Sequence, residues 1–455
     1  MKVNLSGSIT GLTCYITTST LVWGAALRVL PTSNLGIIST LSNDPSISDT
    51  RLAAIASSIL PDLIHIESHK IPRNESVQTA WNRLDFILAN GSTDILGLAN
   101  EIATSGLIPP KILSFPNSYG KSKFNAPHHT NPSLKRLSIY PFKAKGDAPY
   151  SVAEDILRAA IHIPKSFSCD KNKKIPVLLV PGTAVPAAMT FYYNFGKLGR
   201  ALPETDIVWV NIPRASLDDI QSNAEYVAYA LNYISALCLT KAAVISWSQG
   251  ALNIQWALKY WPSTRDVVSD FIAISPDFHG TMVRWLVCPF LHLVACTPSI
   301  WQQGWDAKFI QVLRSRGGDS AYVPTTTIYS SFDQVVKPMS GGDASAILSD
   351  QRGVGVSNNH LQTICANQAA GGVYTHEGVL YNPLAWALAA DALRHDGPGN
   401  ITRIDTRKVC KQILPPYLEL NDLLGTEALM LVALVEILAY FPKVFGEPSI
   451  ASYAF

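Results

Sequence analysis

The sequence is short of charge. Asp, Glu, Lys and Arg make up 15% of its 455 residues and nearly cancel, leaving a formal net charge of +2 at pH 7. No basic stripe occurs, so nothing in it suits nucleic acid. The seven cysteines and ten histidines contain no CxxC pair and no Cys/His spacing of the zinc type. That excludes the common zinc modules and gives no reason to expect a metal or a cofactor. No internal repeat is apparent. Long apolar runs are missing too. Ala428 to Phe441 is apolar, but it is shorter than the roughly 18–20 residues a membrane span needs, and it contains Glu436. It reads as a packed helix, one able to touch lipid.

What is present is apolar bulk. Apolar residues make up 47% of the chain, enough for a sizeable core. The length predicts one large domain of roughly 300 residues and an extra segment of about 100 to 130. The first residues, MKVNLSGSITGLTCYITTSTLVWGAALRVL, carry Lys2, then a long uncharged stretch, then small residues at Gly24 and Ala26. This predicts a secretory signal over residues 1–26; the alternative is an amphipathic or buried N-terminal helix. If Cys14 leaves with the signal, Cys169, Cys238, Cys288, Cys296, Cys365 and Cys410 remain, which suits an oxidising compartment. Sequons at Asn74, Asn90 and Asn400 permit N-glycosylation, though chance supplies several in a chain this long. A secreted glycoprotein is the expectation.

Residues 27–110 read as helical, with apolar residues three and four apart in Asp49 to Leu60, Val77 to Leu88 and Asp94 to Ile102. Residues 111–146 are rich in Pro, Ser, Asn, Lys and Gly and read as a linker. They include a dibasic pair, Lys135 and Arg136. From Lys174 the pattern alternates. Apolar runs at Pro176 to Val180, Ile207 to Ile212, Ala242 to Trp247, Phe271 to Ile274 and Thr325 to Tyr329 read as strands. Ser222 to Leu237, Gln249 to Tyr260 and Asn382 to Leu393 read as helices. Continuous apolar strands between helices predict an α/β domain over residues 147–455, with a mostly parallel sheet covered on both faces.

One junction carries chemistry. The strand Ala242 to Trp247 stops at Ser248, and a helical pattern starts at once. Ser246-Trp247-Ser248-Gln249-Gly250 has the spacing of the G-x-S-x-G nucleophile elbow, with serine in place of the first glycine. The plain alternative is a serine helix cap. A hydroxyl needs a base and an orienting acid, and in this fold they follow in the order Ser, acid, His. Asp333, just past a β-branched strand, is the candidate acid. Asp277 follows the strand directly after the nucleophile's helix and reads as a buried carboxylate near the site. His376, in a loop before a helix, is the candidate base. His360 reads as the end of a strand, and His279 and His292 come too early. For the oxyanion, the donors are the Gln249 backbone N–H and Thr183, by its N–H and its hydroxyl.

From about Asp147 to Phe455 the chain resembles the secreted fungal lipase B family. The matching pieces are LLVPGT, WSQG, PDFxGT, PSIWQQ, VPTTxIYSxxDxxVxP, THxG and EPxxxxYA, in that order. The resemblance implies an α/β-hydrolase fold, Ser248, Asp333 and His376 as triad, and Thr183 and Gln249 as oxyanion hole. It implies that Trp247 lines the substrate pocket, with Asp277 beside the triad; Val185 and Thr190 are assigned to the pocket as well. It also implies a Cys365–Cys410 disulfide. Departures are informative. The glycine-rich turn after the family's PGT is Ala184 to Met189 here. Val283 to Cys296 is a longer apolar flap, bracketed by Cys288 and Cys296, which are expected to pair. Cys169 matches a family cysteine whose usual partner, near Val208, is absent; its pairing with Cys238 or another cysteine stays open. The family's C-terminal disulfide is missing. Residues 27–146 have no counterpart and read as a propeptide or a cap.

The expectation is a cofactor-free, monomeric serine hydrolase that cleaves carboxylic esters. Acylglycerols at a lipid–water interface are the first choice of substrate. The alternatives are an esterase or acyltransferase acting on a non-lipid or secondary-metabolite ester, a non-catalytic binding protein on a hydrolase scaffold, and a partner-binding helical module fused to the enzyme.

Overall fold

A strand with no polar alternation must be covered on both faces. In the computed structural model this holds from β2 to β6. The structure describes residues 75–91, 98, 101–102, 105–107, 123–134, 138–170, 174–282 and 296–455. The expected signal, the helix at Asp49 to Leu60, most of Asp94 to Ile102, Cys14, Asn74, the Lys135–Arg136 pair, Cys288, His292 and the flap body lie outside these residues. So the expected Cys288–Cys296 pair is not described, although Cys296 is disulfide-bonded.

Seven strands form one sheet: β1 (Ile161–His162), β2 (Ile175–Val180), β3 (Thr205–Val210), β4 (Ala242–Trp247), β5 (Val268–Ile274), β6 (Thr325–Tyr329) and β7 (Val356–His360). Their order is β1-β3-β2-β4-β5-β6-β7. Only β1 runs antiparallel; every other pairing is parallel. The register sets Ser246 of β4 between Val180 of β2 and Ala273 of β5. The residues that follow these strands therefore gather at one edge of the sheet, where open α/β sheets bind their ligands.

β1 was not expected, and of β7 only its end at His360 was. β1 is two residues long, and β7 reads VSNNH, too polar to show an apolar run. β3 begins and ends two residues earlier than expected. The chain leaves the sheet at Asn211, whose side chain donates to the Phe124 and Ala126 carbonyls at 2.9 and 3.0 Å. It then turns through Arg214, Ala215 and Ser216, all at positive φ.

Helix α1 (Val77–Asn90) starts at Ser76, whose hydroxyl accepts from the Thr79 N–H, and buries Ala80, Trp81 and Leu84. Those residues belong to the same core cluster as Trp247, Tyr374 and Tyr381. The Trp81 ring centroid is 4.5 Å from that of Tyr374 and 6.5 Å from that of Tyr381. This part of the N-terminal segment is packed into the α/β domain. The described part of the expected linker is bonded there too. His129 N–H donates to the Ala159 carbonyl at 2.7 Å. The Asn131 side chain donates to the Arg158 and Ile161 carbonyls at 2.8 and 2.7 Å.

Helices α2 (Ile220–Cys238), α3 (Gly250–Tyr260) and α4 (Pro383–Arg394) flank the sheet. Then α5 (Leu420–Glu427) and α6 (Leu429–Ala439) follow. Among the described residues no helix is long and apolar enough to cross a membrane. Cys169 pairs with Cys238, the last residue of α2, and Cys365 pairs with Cys410. The first pair closes the position left open by the missing family cysteine.

Trp81→Ala is expected to destabilise the fold by about 3–5 kcal/mol, the usual cost of emptying a buried Trp site. Urea unfolding measures it; an unchanged midpoint would show that α1 is not part of the core.

Candidate active site

The sequence forces a tight crossing where β4 ends. Ser248 sits at φ 55°, in the left-handed region that few non-glycine residues adopt. Its N–H donates to the Ile274 carbonyl at the end of β5, at 3.0 Å. Helix α3 begins two residues later. A Cβ on Gly250 would lie 2.6 Å from the Val180 carbonyl oxygen and 3.2 Å from the Ser246 Cβ. Hence glycine is needed there, and Ser246 is about the largest side chain its own place takes. Ser246 Oγ is buried without a hydrogen-bond partner among the described residues. On the other side, a Cβ on Gly182 would come 2.8 Å from the Ser248 Cβ and 2.9 Å from the Trp247 ring.

Asp333 lies in the turn after β6. Its Oδ1 accepts from the Val335 and Val336 N–H groups at 2.9 and 2.7 Å. Its Oδ2 is 2.6 Å from His376 Nδ1. Both side chains are buried. A carboxylate accepts, so Nδ1 carries the proton and the lone pair of a neutral imidazole is left on Nε2. His376 Nε2 is buried and has no partner among the described residues.

Three further contacts hold His376. Its N–H donates to Gln334 Oε1 at 2.8 Å. Its carbonyl accepts from Trp247 Nε1 at 3.0 Å and from Ser275 Oγ at 2.9 Å. The Trp247 and His376 ring centroids are 5.1 Å apart. Thus the elbow residue Trp247 also braces the histidine loop.

Thr183 follows the β2 turn. Its hydroxyl lies 2.7 Å from Gln249 Oε1 and 3.0 Å from Gln303 Oε1. It has one proton, so it donates to one amide oxygen at a time. The Gln249 amide is fixed in turn: Nε2 donates to the Ser216 carbonyl at 3.0 Å, and Oε1 accepts from Gln303 Nε2 at 3.1 Å. Among the described residues no group accepts from the backbone N–H of Thr183 or of Gln249.

Asp277 follows β5 and is fully buried, with neither carboxyl oxygen hydrogen-bonded among the described residues. Burial pushes its pKa up to about 7, against the pull of His376. Val185 is buried in the core cluster that holds Trp247. Thr190 was assigned to the pocket. It sits in the short helix Ala187–Tyr192, fully buried, and its hydroxyl donates back to the Pro186 carbonyl at 3.1 Å. A β-branched hydroxyl on a helix often spends its proton this way and keeps its acceptor lone pairs. His360 ends β7, with its ring nitrogens 2.6 Å from Ser331 Oγ and 2.7 Å from Thr363 Oγ1.

The elbow, the Asp–His pair and the glutamine-buttressed threonine match known proteins. Lipase B of Pseudozyma antarctica is 32% identical over 270 residues, which are 58% of this chain and 72% of that protein. The chain belongs to the lipase B family. The crystal structure of Aspergillus fumigatus lipase B is 62% identical, with a TM-score of 0.84, and the match covers 93% of this chain and all of that one. A match that wide reaches beyond residues 147–455 into the N-terminal segment. No protein-family model matches the chain.

Sequence reasoning missed Gln334, Ser275 and Gln303. Gln303 stands in the PSIWQQ motif, and Gln334 is the residue after the acid, so each had a signal beside it. Ser275 had none beyond its place at the end of β5.

Gly182→Ala is expected to cost about 1–3 kcal/mol, as overpacking does, and to displace Ser248. An unfolding midpoint equal to that of the unmodified protein would contradict the close approach.

Proposed function

We propose that Ser248, Asp333 and His376 are the nucleophile, orienting acid and base of a lipase-like serine ester hydrolase acting on acylglycerols. The observation that carries this is the 2.6 Å Asp333–His376 contact, which leaves His376 Nε2 free on a loop braced by the elbow. Ser248 Oγ attacks the acyl carbonyl while His376 Nε2 takes its proton. The tetrahedral oxyanion receives the N–H groups of Gln249 and Thr183, with the Thr183 hydroxyl turning from its amide partner. Collapse expels the alcohol, protonated by His376, and leaves the acyl-enzyme. Water, deprotonated by His376, attacks the ester, and the acid departs as Ser248 regains its proton. Asp333 keeps the imidazole in the required tautomer. No step calls for a metal.

A lipid–water interface suits Met282, Trp305 and Phe332, large apolar side chains left 52%, 58% and 44% exposed. They are tied to one region: Trp305 N–H donates to the Thr281 carbonyl, Met282 N–H to the Lys337 carbonyl, and Phe332 precedes Asp333. Two disulfides and a bonded Cys296 support secretion. The packing of α1 supports an N-terminal segment that stays with the enzyme as a cap rather than leaving as a propeptide. A soluble monomer completes the reading.

A smaller, non-lipid ester is the second reading, and one observation favours it. Ala184, where the family has a glycine-rich turn, is at φ 62° and fully buried against Leu217 and Tyr440. That packing tightens the rim beside Thr183.

Ser248→Ala is expected to abolish hydrolysis of p-nitrophenyl esters and labelling by a fluorophosphonate while the protein stays folded. Asp333→Asn should lower kcat by roughly 10⁴-fold, because it stabilises the wrong tautomer. Turnover by a folded Ser248→Ala enzyme would sink the assignment. Among unmodified-enzyme rates, a preference for short soluble esters over an emulsified triacylglycerol would select the second reading.

A further inference from the structure

His376 is flanked by two residues that the mechanism does not use. On one side is Thr375, on the other Glu377, and each leads to a buried carboxyl. Gln334 Oε1 accepts the His376 N–H at 2.8 Å, and Gln334 Nε2 donates to Glu377 Oε2 at 3.1 Å. Gln334 follows Asp333 in the chain, so this one amide joins the loop of the acid to the loop of the base. Opposite, Thr375 Oγ1 donates to Glu427 Oε1 at 3.1 Å and accepts from the Gly378 N–H at 2.8 Å. The Tyr381 hydroxyl donates to the same Glu427 oxygen at 2.6 Å. Glu427 ends α5, so the histidine loop is pinned to that helix. The space is full. A Cβ on Gly378 would lie 2.8 Å from Thr375 Oγ1, 3.1 Å from Glu427 Oε1 and 3.2 Å from the Tyr381 hydroxyl.

We propose that Glu377 and Glu427, acting through Gln334 and Thr375, are positioning residues that hold the His376 loop in its working pose, and only while the pair keeps a proton. This rests on the reading of His376 as the base. Both carboxyls are buried, and Glu377 Oε1 has no hydrogen-bond partner among the described residues. The groups that face the pair are Tyr374 and Tyr381 from the histidine's own segment, Asp333 and Gln334 from the turn after β6, and Thr375. From the element packed on α5, Asn194 Nδ2 donates to Thr426 Oγ1, and Tyr193 stacks on Gly425. The same element carries Lys197, which pairs with Asp422 in the first turn of α5, and among the described residues no cation bonds Glu377 or Glu427. Two adjacent carboxylates in such surroundings cannot both ionise cheaply. Burial pushes both upward, and Glu427 pushes Glu377 further.

The sign follows from linkage. A carboxyl whose folded pKa is raised binds more protons in the folded state than in the unfolded one. Its contribution to stability is therefore lost as pH rises from the unfolded pKa toward the folded one. When the last proton leaves, repulsion opens the loop and His376 loses its alignment.

The test is kcat and KM for p-nitrophenyl butyrate from about pH 6 to about pH 10, on the full chain. The enzymes are the unmodified protein, Glu377→Gln, Glu427→Gln and Gln334→Ala. Each glutamine variant, scaled to its own plateau, should move the alkaline fall of kcat upward by about one pH unit or more. Gln334→Ala should lower kcat about tenfold with KM within about twofold. Alkaline limbs that superimpose on the unmodified enzyme's would overturn the proposal. If neither glutamine variant folds, Gln334→Ala decides, and an unchanged kcat overturns it. An unmodified enzyme that neither turns over nor takes a fluorophosphonate would instead mean that the triad reading has failed.

Discussion

The rest of the structure depends on one steric constraint, the crossing of β2, β4 and α3 around Ser248. A left-handed serine costs about 1–2 kcal/mol relative to a relaxed backbone, and the surroundings must hold it there. They do so through the bond from Ser248 N–H to Ile274, and through two glycines whose missing Cβ atoms let the backbones touch. The same crossing sets where Trp247 points. Its indole N–H reaches the His376 carbonyl, so the turn that exposes the serine also fixes the histidine. Ser248 and the His376 loop are thus positioned by adjacent residues at one strand end.

Four buried carboxyls surround His376, and their hydrogen bonds sort them. Asp333 accepts from two backbone N–H groups and from the imidazole. Asp277 accepts nothing among the described residues, and burial raises it to about 7. Glu377 and Glu427 receive side-chain donors only. Backbone donors cannot turn away, so Asp333 is held in one orientation toward the imidazole. Side-chain donors can reorient. Burial raises the pKa of Asp277, Glu377 and Glu427 alike.

Much of this was legible because it depended on local pattern. The apolar runs of β2, β4, β5 and β6 announced a parallel sheet, and the Ser-x-Ser-x-Gly spacing between strand and helix announced the turn. Ser248, Asp333 and His376 could be proposed from chain order alone. The illegible parts depend on long-range partners. β7 is an edge strand whose asparagines find partners elsewhere in the chain: Asn359 Nδ2 donates to the Thr327 carbonyl, and Asn358 bonds Leu348. Trp81 was visible as a helix residue, yet nothing near it pointed to Tyr374, far along the chain.

The N-terminal helix and the histidine loop bear on each other for this reason. Trp81 packs against Tyr374 with the rings tilted by 43°, and Tyr374 is two residues before His376. Tyr381, which Trp81 also meets, donates to Glu427. Residues from α1, α5 and the turn after β6 thus converge on one short segment, and each supplies a different kind of contact: an aromatic face, a carboxyl, an amide. Aromatic packing is insensitive to pH, whereas the carboxyl pair is not. The segment is therefore held by two independent means. Loss of the last proton of the Glu377–Glu427 pair loosens its polar attachments and leaves Trp81 in place, so the loop shifts without the domain unfolding.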